Sequence, residues 1–259
     1  MREYWFSLTG EEDLASIAKA REIGGLVSNW EEPLPSRIIF WMLECSLGAS
    51  LFEKLAARKN GDKTGSLNLG NANIHILGMN GDIIGSYFLG DVTIEGFYKK
   101  GILFDLKISG ILFDRLTNDS WKIWDFCKRG KIDSRNIWIN FSREMKTAWL
   151  EVARVRMVEN FGKLKNLESG SMFYFDGRHV VDELSFYCAL GEAINGPGGY
   201  FGKGVDSFND CLNGGFGAIR PFKLNWKINK YSNDLQWDPF CGEIGKIFKE
   251  KGIEVNYYY

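Results

Sequence analysis

The sequence holds only two histidines, His75 and His179, five prolines, and five cysteines with no CxxC pair among them. Each scarcity removes a class of function. Two histidines in separate regions, with no cysteine at ligand spacing, argue against a zinc site, and no metal or cofactor is expected. Cys45, Cys127, Cys188, Cys211 and Cys241 are odd in number and widely spaced, which reads as reduced thiols rather than a disulfide frame. There is no apolar run of about 18 residues, so no spanning helix and no membrane partner are expected. The opening "MREYWFSLTGEEDL" lacks a long apolar core and turns acidic early, which does not read as a secretory signal; a cytoplasmic location is the expectation. Strong net charge is missing as well. Lys and Arg number 32 against 33 Asp and Glu, and the balance is nearly even on both sides of residue 170, with 23 basic and 22 acidic residues before it and 9 and 11 after it. No global field advertises direct nucleic-acid binding, so electrostatic recognition has to be local.

What is present is 259 residues of ordinary globular composition, 45% hydrophobic and 15% aromatic, enough for one or two domains. The first 160 or so residues read as β-rich. "EYWFSLT" (3–9), "IGGLVSNW" (23–30) and "RIIFWMLE" (37–44) are short apolar runs bounded by turn residues. "SLFEKLAARKN" (50–60) has helical composition, and "MNGD" between apolar runs predicts a tight hairpin turn. "GILFD" occurs twice, at 101–105 and 110–114, which reads as two neighbouring strands of similar burial. "KTAWLEVARVRM" (146–157) alternates like a strand in one half and has helical composition in the other, so it stays unassigned. The polar "ENFGKLKNLESGS" (159–171) marks the expected join between an N-terminal β-rich domain, residues 1–165, and a second domain, residues 171–259. In that second part, "MFYF" (172–175), "FKLNWKI" (222–228) and "IEVNYYY" (253–259) read as strands. "DELSFYCALGEAI" (182–194) and "CGEIGKIFKEKG" (241–252) read as helices between them. That alternation predicts a small α/β layer with parallel pairing.

The stretch "GPGGYFGKGVDSFNDCL" (196–212) poses the functional question: a glycine-rich loop, an aromatic pair, then a short amphipathic segment with two aspartates. It is not a phosphate loop. The P-loop glycine position is occupied by Pro197, Lys203 is followed by Gly204 rather than Ser or Thr, and the loop follows a helix rather than a strand. If a helix starts near Gly204, Val205, Phe208, Cys211 and Leu212 form its buried stripe, while Asp206, Asn209 and Asp210 share the opposite face. Tyr200 and Phe201 would fix the loop and offer contact area. A solvated acidic face is the plain alternative to a surface that binds a cationic partner.

"YFGKGVDSFNDCL" followed by "FKLNW", together with the preceding strand, "DG" turn and helix, resembles the barstar family of ribonuclease inhibitors over residues 171–259. The resemblance implies a small α/β domain with a three-stranded parallel sheet. It also implies a loop and helix that plug a nuclease active site, with acidic side chains in the place of substrate phosphates. By position, it gives Asp210 the dominant role and Asp206 that of acidic companion. Tyr200 and Gly202 become loop contacts, Asn209 stands where the family often has tryptophan, and Glu250 is the acidic residue of the last helix. The short "NKYSNDLQWDPF" (229–240) implies that one of the family's helices is missing. On this reading the protein is no enzyme but a cytoplasmic immunity protein, a monomer or a 1:1 complex with its toxin, and residues 1–165 are an accessory domain. Trp5, Trp30, Trp41 and Trp121 serve packing or toxin contact. Two other readings stand beside it: a non-inhibitory tether, and an enzyme using Asp206 and Asp210 with Glu243 or Glu250 as acid/base or metal ligands.

Overall fold

The computed structural model describes residues 3–11, 15–28, 33–56, 66–163, 166–228 and 238–259, with only the backbone of 238, 239 and 241. Trp30 and most of the 229–240 connection lie outside the described residues. The chain divides into two compact units, Met1–Gly130 and Lys131–Tyr259.

The first unit contains β1 (Phe6–Gly10), β2 (Ser16–Ala20), β3 (Glu22–Gly24), β4 (Ser36–Leu47), β5 (Leu67–Leu77), β6 (Ile83–Lys100) and β7 (Leu103–Leu112), with α1 (Ala49–Ala56) and α2 (Asn118–Lys128). Six strands in the order β2-β1-β5-β6-β7-β4 form an antiparallel barrel, closed where Ala18 of β2 meets Leu47 of β4; β3 runs along β4. Closure removes the exposed strand edges that an open sheet would leave. The alternation that builds the interior is plain in β4, where Ile38, Phe40 and Met42 are buried and Ile39 between them is exposed. "MNGD" forms the β5–β6 turn, with Gly81 at φ 78°. The two "GILFD" strings lie on one strand rather than two: Gly101, at φ 64°, turns the chain into β7, whereas Gly110 sits inside β7. A Cβ at Gly110 would stand at ordinary contact distance from Val92 and Leu89, 3.4 and 3.8 Å, so this glycine marks neither a turn nor a crowded spot.

Helix α2 begins with a capping box between Thr117 and Ser120. It carries Trp124 against Gly85 and Tyr87 of β6, with Nε1 donating to Tyr87 Oη at 2.9 Å. A Cβ at Gly85 would stand 2.2 Å from the Trp124 ring.

The second unit contains α3 (Arg143–Glu159), β8 (Met172–Asp176), α4 (Glu183–Asn195), α5 (Val205–Leu212), β9 (Lys223–Lys227), α6 (Asp238–Glu250) and β10 (Glu254–Tyr258). Its sheet, ordered β10-β9-β8, is parallel throughout, which matches the expected small α/β layer. Parallel neighbours require crossovers, and α4–α5 and α6 supply them. Phe175 and Trp226 of the sheet meet Phe186 of α4, the Phe175–Trp226 rings 4.5 Å apart.

The ambiguous "KTAWLEVARVRM" is part of α3, capped by Ser142, whose Oγ accepts from Met145 N at 3.3 Å. Sequence placed the join at 159–171, whereas the division into units falls after Gly130 and α3 packs on α4. With the sheet on one side and α3 on another, α4 buries a continuous run from Ser185 to Glu192 rather than a one-sided stripe. Among the described residues, no helix is long and apolar enough to cross a membrane.

The Gly85–Trp124 contact leaves no room for a methyl group. Gly85→Ala is expected to destabilise the barrel unit by about 1–3 kcal/mol through overpacking, measured as a lowered urea midpoint at unchanged m-value.

Candidate functional site

The loop from Gly196 to Gly204 is held close to α4 and to the segment after α5. A Cβ at Gly191 of α4 would lie 2.2 Å from Gly199 O, so helix and loop touch through bare backbone. Asn195, the last residue of α4, donates from Nδ2 to Tyr200 O at 2.8 Å and to Phe216 O at 2.9 Å. One neutral amide thus ties the loop to the chain beyond α5. Gly202 sits at φ 97°, and its Cβ would meet Phe208 Cα at 2.8 Å, so the loop closes tightly over α5.

Tyr200 and Phe201 are both buried, so they lie beneath the loop rather than on its surface. Phe201 packs against Phe208, ring centroids 6.1 Å apart, and burial pushes the Tyr200 hydroxyl up to about 12. Their size and apolar faces suited a contact surface in sequence, but the same property drives them inward once α5 offers Phe208.

Helix α5 buries Phe208, Cys211 and Leu212, and Val205 is half-buried. Asp206 and Asp210 are exposed on its other side, with Asn209 half-buried between them. Neither aspartate has an ion-pair partner among the described residues, whereas Asp176, Asp182, Glu151 and Glu254 in the same unit all do. Two like charges one turn apart cost the helix a few tenths of a kcal/mol, roughly. Glu250 is exposed in the last turn of α6, two residues beyond Phe248, whose ring meets Phe208 of α5 at 5.8 Å.

Lys203 precedes the helix. Its Nζ pairs with Glu151 of α3, while its backbone N–H donates to Ser207 Oγ at 2.9 Å. Glu151 is buried and also accepts from Arg154 at 3.4 Å. A cleft of roughly 360 Å³ opens beside this pair, bordered by Leu150, Leu184, Val205 and Asp206. A loop pinned by backbone and amide contacts, two exposed carboxylates without an ion-pair partner among the described residues, and an aromatic layer beneath them make up the site.

Residues 171–236 match the family model Barstar (barnase inhibitor). The match lies in the C-terminal part of the chain and takes in β8, α4, the glycine-rich loop, α5 and β9. No curated protein and no solved structure matches the chain. At the level of the family, the match points to a barnase-inhibitor-like role for this region.

The barstar-like region is braced by residues that precede the match, and sequence reasoning did not find them. Besides Glu151, Lys146 of α3 pairs with Asp182, the N-cap of α4, at 3.4 Å. Glu192 of α4, almost fully buried, accepts from Asn136 N at 2.9 Å. Ser142 before an acidic first turn was the available signal for α3, yet nothing in the sequence places Glu151 opposite Lys203. Among the described residues, no group of three or more His, Cys, Asp or Glu side chains is arranged to hold a metal ion.

Two outcomes follow from the brace. Burial raises the Glu192 carboxyl above its ordinary value, opposed in part by the Asn136 N–H. A folded value above the unfolded one means that ionisation disfavours the fold, and the cost grows as pH rises through the unfolded value toward the folded one. Glu192→Gln is therefore expected to raise the thermal midpoint at pH 7 and to lose that advantage near pH 4. Glu151→Gln weakens the hold on Lys203 and is expected to speed hydrogen exchange of the loop amides several-fold, with the barrel amides unchanged.

Proposed function

We propose that the C-terminal region is the inhibitory module of an immunity protein: it binds a cognate toxin, a nuclease with a basic active site, and blocks it with Asp206 and Asp210. The observation that carries this reading is the pair of exposed carboxylates without a cation partner among the described residues, on a helix whose loop is pinned through Asn195 and Lys203 rather than through them. A phosphate-binding pocket is lined with cations, and a fixed acidic pair complements it, accelerating encounter and setting register.

In this scheme Asp210 is the central anchor, Asp206 its companion, Asn209 a flanking contact and Glu250 an outer acidic contact from α6. Tyr200, Phe201 and Gly202 contribute by fixing the loop that meets the toxin. Residues 171–259 form the inhibitory domain and residues 1–165 its accessory, with α3, the brace, inside the same compact unit as the inhibitory domain. The protein acts in the cytoplasm of a bacterial cell that makes the toxin, as a 1:1 complex.

The test is rescue of growth by this chain against the toxin encoded beside its gene, together with inhibition kinetics on the purified pair. Asp210→Ala is expected to cost roughly 2–5 kcal/mol of binding, a factor of about 30 to several thousand in Kd, and to abolish rescue while circular dichroism stays unchanged. Asp206→Asn is expected to act mainly on the association rate, with a weaker salt dependence. Equal rescue by wild type and Asp210→Ala would remove α5 from the inhibitory role. Binding without inhibition would make the module a tether.

A further inference from the structure

The barrel unit has a cleft of its own, independent of the inhibitor reading. It opens between the start of β1, the β2–β3 corner and α2, with a volume of roughly 390 Å³, and Trp5, Phe6, Arg21, Trp121 and Lys128 line it. That volume lies within the range of small-molecule sites, about 300–1,000 Å³.

Its chemistry is uneven in an informative way. Lys128 is the last residue of α2, and its side chain is only 10% exposed. Its Nζ lies 4.4 Å from the Phe6 ring centroid and 5.8 Å from that of Trp121. The ammonium is therefore lodged against aromatic faces, which attract a cation but accept no conventional hydrogen bond. Its carboxylate partner among the described residues is Asp125, at a long 3.3 Å and itself well exposed. A buried ammonium carries three donors and a charge that is costly without close partners. Consistent with that, burial lowers the Lys128 pKa from its ordinary value, with Asp125 opposing the shift.

A second cation is in similar condition. Arg21 spends one arm on Glu44 at 2.7 Å and lies over the Tyr4 ring at 5.5 Å. Its Nε is buried without a hydrogen-bond partner among the described residues. The aromatic walls, by contrast, are fixed: Trp121 Nε1 donates to Leu26 O at 2.8 Å, and its ring meets Phe6 edge to face at 5.7 Å.

We propose that this cleft binds a small aromatic carboxylate, with the carboxylate on Lys128 and Arg21 and the ring against Trp5 and Trp121. The charge count favours a monoanion over a dianion. Arg21, Lys128 and Arg129 line the cleft against Glu22 and Asp125, and Glu44 already pairs with Arg21, so the local balance is even and a phosphate dianion meets more opposing charge than a carboxylate does. The carboxylate supplies the acceptors that the ring faces cannot, and the flat body replaces water on the tryptophans.

The test is calorimetric titration of the full chain with indole-3-acetate, its uncharged analogue indole-3-acetamide, and AMP as a dianionic planar probe. Saturable binding of the acid is expected, about tenfold or more tighter than the amide and tighter than AMP. Lys128→Met is expected to erase the preference for acid over amide. Arg129→Gln, at an exposed rim position that leaves the core untouched, is expected to weaken the acid several-fold, which covers the case in which Lys128→Met fails to fold. Equal binding of acid and amide, AMP binding at least as tightly as the acid, no saturation by about 10 mM acid, or a Lys128→Met variant that keeps the preference would each overturn the proposal.

Discussion

A carboxylate serves recognition only if its backbone is held still without using up its charge. Under the proposed function, the second unit is organised around that constraint. The obvious way to fix a helix bearing Asp206 and Asp210 would be to pair them with lysine or arginine, and that would neutralise the surface. The fold instead uses a side-chain amide at Asn195, backbone contact at Gly191, and aromatic packing beneath the loop. Where an ion pair is used, it falls on Lys203, just before the helix, and its acid comes from α3. The order this creates reaches the aspartates through the chain, while their charge stays available.

Much of this architecture was legible in the sequence because it rests on local pattern. The three strands of the parallel sheet, the capped start of α4 and the buried stripe of α5 follow from periodicity and capping residues. Depth was less legible. Tyr200 and Phe201 read as surface because they follow a glycine run, yet both are buried, and Phe201 packs on Phe208, which reaches it only after α5 turns back. The repeated "GILFD" misled for a related reason: one glycine turns the chain and the other lies inside a strand, and the two are identical on paper. α3 was ambiguous because it is buried on several sides, which erases the one-sided stripe that marks a helix.

The barrel unit illustrates another limit of pattern. Barrel closure joins β2 to β4 across the α1 side of the chain, a long-range pairing with no signature in any short window. The cleft is a product of the same long-range geometry, since it gathers residues from the first strand, the β2–β3 corner and the final helix of the unit. Lys128 looks like an ordinary helix-terminal lysine, well placed for the helix dipole. Only the fold lays it against Phe6 and Trp121.

The position of α3 along the chain has a consequence for how the module is made. The brace is synthesised before the loop it holds: Glu151 leaves the ribosome about 50 residues ahead of Lys203, a lead of roughly 3–10 s at ordinary elongation rates. Glu192 likewise follows Asn136, which it anchors. Part of the docking surface for the glycine-rich loop, the Glu151 side, is thus laid down first, by chain outside the 171–236 match. A stretch that a family boundary leaves out is in this protein the earliest part of the module to emerge.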